Sequence, residues 1–376
     1  MHIREISSIR GVAAVVVLLG HVFNVIDRQS LGNLTPDGAL YNRIFDVLGS
    51  AFNGPAAVEI FFVLSGLVLS LSLDRGGEDR PKWLASFYVK RVFRIFPALW
   101  VSLLLALSLL SYERSGCASG FCTTWAAGAF QDDYTPLRIV LSFLGIYVHL
   151  NAPMWSLRAE LFYSLLFPAM FLLLRYERTK WPCFLSILAL AVLPISRFYS
   201  VHYALAFALG AMIPILPVYR RLPYAIAVAS STAVLLFSRQ ALSAWGFEEK
   251  TFEIIEMGAS FVIIYALFHK KIDLGFLKNP VVFYIGEISY SIYVLHFPIL
   301  FALVYMFDGV IGAQAIRNHP IFYTLALGVA TLAVTIGLSA LNFRFVELPF
   351  QSLGRTLSER IKRLRYFSAK EAEPIL

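Results

Sequence analysis

The sequence predicts an all-α membrane protein of about ten transmembrane helices plus a short re-entrant or half-length helix near 137–150, with both termini cytoplasmic. Three observations carry that prediction. Of the 376 residues, 58% are hydrophobic and only 15% charged, with a mean hydropathy of +0.69, whereas soluble domains carry roughly 25% charged and 45–50% apolar residues. Apolar runs of about 20 residues, the length that crosses the hydrocarbon core, recur along the chain. Lysine and arginine gather in alternate connections, as the positive-inside rule requires. No low-complexity tract, heptad register or soluble-sized stretch interrupts the pattern, so one membrane domain fills residues 1–350 and a basic cytoplasmic tail follows over 351–376. The net charge of +8 belongs to cytoplasmic connections and argues for no nucleic-acid partner, although the tail can touch anionic lipid.

The first apolar run, 11–23, follows Arg4 and Arg10. Bulky Val25 and Ile26 offer no small-residue cleavage site, so it reads as a retained span over 6–26 rather than a signal peptide. Further spans fall near 51–73, 95–112, 155–174, 183–198, 202–217, 223–241, 252–268, 281–306 and 321–345. The shorter apolar stretch 137–150 ends at Asn151-Ala152-Pro153. Counted as a full crossing, it would put the basic segments 175–180 and Arg220-Arg221 outside. Counted as re-entrant or half-length, it leaves only Arg28, Arg43, Arg114, Arg138, Arg197, Arg239, Lys250 and Arg317 there, which obeys the rule. Non-helical backbone at membrane depth needs protein or water to satisfy it, so the break also hints at a cavity. Cys117 and Cys122, in a polar outer segment, are spaced for a short disulfide and read as structural whether reduced or bridged. Cys183 reads as a small core residue, and no Cys/His spacing suits a metal.

Ionisable side chains inside spans are costly and mark sites by default. Arg10 and His21 are eleven residues apart, three helical turns, which places them on one face about 16 Å apart. A cation near the cytoplasmic surface and an imidazole deeper in the membrane suit the two ends of one ligand; a snorkelling anchor and a packing histidine are the bland alternative. Glu59, in the second span, must be protonated or paired. Arg91 and Arg94, at i and i+3, present two guanidiniums on one face at the start of the third span, suited to phosphate or to simple anchoring. Arg158 and Glu160 follow the Pro153 break but point to different faces, so Glu160 is expected to pair with another helix. Ser289, Tyr293 and His296 form one polar stripe, and Glu347 before Pro349 closes the last span as a structural acid.

In order and content these segments resemble the acyltransferase 3 family of multi-pass membrane O-acyltransferases. Arg10 and His21 fit its Arg-x10-His pattern, Arg91 and Arg94 its Arg-x-x-Arg, and Ala57 to Gly66 its G-V-D-x-F-F-x-L-S-G segment. Trp155-Ser156-Leu157 with Glu160 and Phe162-Tyr163 look like W-S-L-x-x-E-x-x-F-Y with one residue fewer between the acid and the aromatic pair. Ser289-Tyr290 through His296 resembles S-Y-x-x-Y-x-x-H, and Glu347-Leu348-Pro349 its E-x-P ending. Glu59 stands where the family usually has Asp, and Ala57 replaces a Gly. Nothing like a fused hydrolase-like domain follows the last span.

The resemblance implies transfer of an acyl group, most often acetyl, from acetyl-CoA to a hydroxyl of a sugar, polysaccharide precursor or glycosylated product, including lipid-linked ones, at the cell (inner) membrane. Acyl-CoA enters as co-substrate; no permanent cofactor or metal is expected. The implied roles are His21 as catalytic base with Glu160 orienting or charge-balancing it, and Arg10, Arg91 and Arg94 as acyl-CoA ligands. Glu59, Ser65, Trp155, Ser156, Arg158, Tyr163, Tyr293 and His296 support the site or the acceptor. The rival reading of the same buried charges is a transporter with a solute or proton pathway.

Overall fold

In lipid a backbone can satisfy its own polar groups only as a helix or a closed barrel, and this chain takes the helical solution. The computed structural model describes residues 4–27, 42–43, 47, 49–74, 80–115, 117–193, 201–219, 221–243 and 245–363; Arg28, Arg197, Arg220 and the tail from 364 lie outside the described residues. The helices are α1 Arg4–Phe23, α2 Gly54–Asp74, α3 Arg80–Ser115, α4 Thr124–Gly128, α5 Pro136–Phe143, α6 Met154–Arg175, α7 Glu177–Val192 and α8 Tyr203–Met212. They continue as α9 Tyr224–Ser243, α10 Glu249–Phe268, α11 Pro280–Glu287, α12 Ser289–Ile311, α13 Ala313–Asn318, α14 Pro320–Asn342 and α15 Leu348–Arg363. Among the described residues the one β pairing is an isolated bridge between Ile26 and Cys122. The fold is that of an all-α, multi-pass membrane protein.

Eight helices among the described residues are long and apolar enough to cross a bilayer. Of the fifth expected span, 183–192 lie in α7 and 194–198 lie outside the described residues; the sixth is shorter, with ten residues in α8 before a 3-10 turn at Ile213–Ile215. The stretch near 137–150 forms the half-length helix α5, started by a Thr135 cap and Pro136 at its first turn. The expected span 281–306 is divided at Ile288 into α11 and α12. Leu104, Leu165, Ile226 and Val329 are exposed apolar side chains on the long helices, the surface a bilayer covers.

The last helix does not stop at Pro349. A π turn at Phe343–Glu347 carries α14 into α15, so the boundary expected at 350 falls inside a continuous helical run. Up to Arg363 the supposed free tail is packed on α3. Ser358 Oγ lies 2.5 Å from Ser86 Oγ, Gly354 faces Phe93, and the Phe350 and Phe93 rings stack at 6.4 Å.

Two crossings are close enough to need glycine, the small-residue packing that lets membrane helices approach. A Cβ on Gly286 of α11 would run into the Ser7 carbonyl oxygen of α1, and one on Gly210 of α8 into the Val63 carbonyl oxygen of α2. Ser8 Oγ ties the first crossing further by donating to the Leu277 carbonyl at 2.6 Å. These contacts fix α1 and α2, the two helices that carry Arg10, His21 and Ser65.

Candidate active site

Two cavities lie beside α1 and share Val58 and Tyr293 in their walls. The first, of about 360 Å³, is lined by His21, Asn24, Thr123, Trp125, Trp155 and neighbouring apolar residues. The second, of about 50 Å³, is lined by Arg10, Phe61, Phe62, Ser65, Ser156, Leu157, Glu160 and Tyr290. Helical spacing thus places both ends of the Arg10–His21 face on cavity walls. His21 sits in the last turn of α1, beside Thr123 and Trp125.

At the Arg10 end, Arg91 Nη2 donates to Glu160 Oε1 at 2.8 Å and to Ser164 Oγ at 2.6 Å. Ser65 Oγ donates to the same Glu160 oxygen at 3.3 Å. Glu160 therefore pairs with another helix, as its register demands, and the partner is Arg91. The expected orientation of His21 by Glu160 is not made: the nearest groups to this carboxylate are Arg91 and Ser65, because α6 turns it toward α3. Arg10 and Arg94 form no ion pair among the described residues; Arg10 lies in the field of Arg94, Glu160, Glu347 and Glu287. Glu347 reaches this field through the π turn, accepts from Ser291 Oγ, and has Arg94 and Arg10 as electrostatic neighbours. A π turn widens the helix and often re-aims a functional side chain. Asn342 Nδ2 donates to the same Ser291 Oγ at 2.8 Å.

Tyr293 lines both cavities. Its hydroxyl lies 2.6 Å from Ser156 Oγ and donates to the Pro153 carbonyl at 3.0 Å. None of Asn151, Ala152 and Pro153 lines either cavity; buried Asn151 instead donates from Nδ2 to the Val294 carbonyl at 2.8 Å. That carbonyl needs a donor because Pro298, four residues on in α12, has no N–H to give it.

At the other end, His21 Nδ1 lies 2.9 Å from His296 Nε2, and His296 is fully buried. Trp125 lies parallel to His21 with ring centroids 5.6 Å apart. The segment bearing Trp125 is tied down by a Cys117–Cys122 disulfide and by Thr123 Oγ1 donating to the Asn24 carbonyl at 2.7 Å. Nothing local in the chain says that Trp125 meets His21. Outside the spans, Tyr147 donates to Asp132 at 2.7 Å, and burial together with that carboxylate raises the Tyr147 hydroxyl above its ordinary pKa.

Three expected residues are elsewhere. Arg158 is exposed on the other face of α6 and lines neither cavity, as its two-residue offset from Glu160 requires. Glu59 is buried with its Oε2 unpartnered; its electrostatic neighbours are Glu253, Glu256 and Arg239 of α9 and α10. Tyr163 packs with its ring 5.1 Å from Phe207 and lines neither cavity. Ser65, Ser156, Trp155, Tyr293 and His296 are all at or beside the cavity walls. Among the described residues no group of His, Cys, Asp and Glu is arranged to hold a metal.

Set beside known proteins, this all-helical membrane domain is a membrane acyltransferase. Residues 3–340 match the acyltransferase domain model of the acyltransferase 3 family, and the chain belongs to that family. It is also similar to the acyltransferase MdmB of Streptomyces mycarofaciens, with 27% identity over 335 residues covering 80% of this chain and 82% of that protein. No solved structure matches it significantly.

Proposed function

We propose that this protein transfers an acyl group, in the first instance acetyl, from acyl-CoA on the cytoplasmic side to a hydroxyl of a sugar, polysaccharide precursor or glycosylated product at the cell membrane. The observation that carries the proposal is the pair of cavities that share Val58 and Tyr293 in their walls, with Arg10 lining one and His21 the other. The Arg4 end of α1 is the cytoplasmic one by the positive-inside rule. Arg10 and Arg94, free of ion pairs among the described residues, suit an anionic donor, and Arg91 adds a third guanidinium once Glu160 is displaced from it. The distance of about 16 Å from Arg10 to His21 is on the scale of a pantetheine arm, so phosphates held at the first can present a thioester to the second.

In this reaction the acceptor hydroxyl gives its proton to His21 while its oxygen bonds to the thioester carbonyl carbon. The tetrahedral intermediate then expels the CoA thiolate, breaking the carbon–sulfur bond, and the proton on His21 goes to sulfur. Trp125 and Trp155 flank the larger cavity and offer flat faces to a sugar ring. The test is a product assay with purified protein, acetyl-CoA and a panel of glycosylated and simple sugar acceptors. Free CoA thiol and an acceptor heavier by one acetyl group should appear together. Thiol release with no acylated acceptor from any member of the panel would overturn the acceptor assignment.

A further inference from the structure

We infer that His296 is a positioning residue that fixes the tautomer of His21, holding its proton on Nδ1 and leaving a bare Nε2 for the acceptor. The inference rests on the reading of His21 as the base and goes beyond it, because it says which nitrogen acts and what selects it. His296 Nδ1 lies 2.7 Å from the Tyr293 carbonyl oxygen and 3.2 Å from that of Ile292. Carbonyl oxygens only accept, so Nδ1 carries the hydrogen. A neutral imidazole has one N–H, which makes Nε2 of His296 an acceptor. Facing it at 2.9 Å is His21 Nδ1, which must then be the donor. The single N–H of His21 is thereby used, and Nε2 is left with a lone pair.

The ring geometry agrees. The His21 and His296 rings are 12° from coplanar with centroids 5.1 Å apart, a spacing close to the nitrogen–nitrogen distance plus two ring radii. They therefore meet edge to edge, with the hydrogen in the plane of both. The opposite assignment needs His296 as a buried cation, yet no carboxylate lies within ion-pair distance of either ring among the described residues. No protein group among the described residues hydrogen-bonds His21 Nε2, and His21 lines the larger cavity. The arrangement does with a second histidine and two backbone carbonyls what a carboxylate does behind the base of a catalytic triad. When Nε2 takes the acceptor proton, the Nδ1–H bond to His296 persists and steadies the imidazolium until the proton passes to the thiolate.

The test is kinetics and nitrogen-15 spectroscopy on the full-length protein in micelles. His296→Phe keeps a ring but no acceptor; His296→Gln keeps an acceptor for His21. The phenylalanine variant should lose at least about 100-fold in kcat with the acyl-CoA KM unchanged, by analogy with the roughly 10⁴-fold cost of a wrong tautomer in a triad. The glutamine variant should recover to within about tenfold of wild type. Spectra of labelled histidine, assigned by loss of signal in His21→Ala, should show neutral His21 protonated at Nδ1 and bare at Nε2. Equal activity in wild type and His296→Phe, or a His21 proton found on Nε2, overturns the inference while leaving His21 as the base. Turnover retained in His21→Ala overturns that underlying reading instead. The spectrum decides the matter even if His296→Phe does not fold.

Discussion

Removing either partner of the Arg91–Glu160 pair should destabilise the protein strongly, and removing both should cost much less than the sum. The two groups meet at 2.8 Å with side chains 14% and 25% exposed, so neither is well hydrated once its partner is gone. Breaking a buried pair from one side costs about 3–5 kcal/mol. The adjoining cavity admits some water, and Arg91 keeps Ser164 as a second acceptor, so about 2–3 kcal/mol is expected for Glu160→Ala. Arg91→Ala leaves the carboxylate with Ser65 as its hydrogen-bond donor and Arg10 and Arg94 as electrostatic neighbours, and should cost a similar amount. The assay is unfolding by SDS titration in mixed micelles for wild type, both single variants and the double variant. A coupling of about 1.5–3 kcal/mol is the predicted outcome; one below about 0.5 kcal/mol refutes the pairing. The same variants decide the role of Glu160. As a counter-ion at the donor end, its replacement by Gln should alter the acyl-CoA KM and leave kcat within about tenfold of wild type. A kcat as low as that of His21→Ala would return Glu160 to the base.

His21→Ala should lower turnover by about 10²–10⁴-fold, the range for a lost general base, with acyl-CoA affinity unchanged in a binding titration. Gly286→Ala forces α1 and α11 apart where a Cβ meets the Ser7 carbonyl; it should lower stability by about 1–3 kcal/mol and, by moving Arg10, raise the donor KM. Asn151→Leu withdraws the donor from the Val294 carbonyl and should cost about 1–3 kcal/mol, read as a lower Tm. Replacing Cys117 and Cys122 by serine should release the segment that carries Trp125, raising the acceptor KM several-fold and sparing the donor KM in steady-state kinetics.

Composition and apolar run length were enough for the fold class, because a bilayer allows few backbone solutions. The run lengths overshot in two places: α8 is short, and Ile288 divides one expected span at the crossing of α11 with α1. The tail resisted because an amphipathic basic helix looks alike whether it lies on lipid or, as residues 348–363 do, on α3. Within the site, contacts set by one helix were readable. The eleven-residue spacing of Arg10 and His21 fixed their common face, and the two-residue offset of Arg158 from Glu160 already placed them apart. Partners across helices were not. Glu160 had several arginines to choose from, and only the packing of α3 on α6 selects Arg91. Likewise His296 lies 275 residues from His21, and no local pattern says that the two rings meet.

The most direct test of the account is acetyl-CoA binding to detergent-purified protein by calorimetry, with wild type, His21→Ala and the Arg91→Ala/Arg94→Ala double variant in parallel. The account predicts saturable binding by wild type and His21→Ala, and its loss in the double arginine variant. Absence of binding by a folded wild type, or undiminished binding by the double variant, would contradict a donor site at the arginine end.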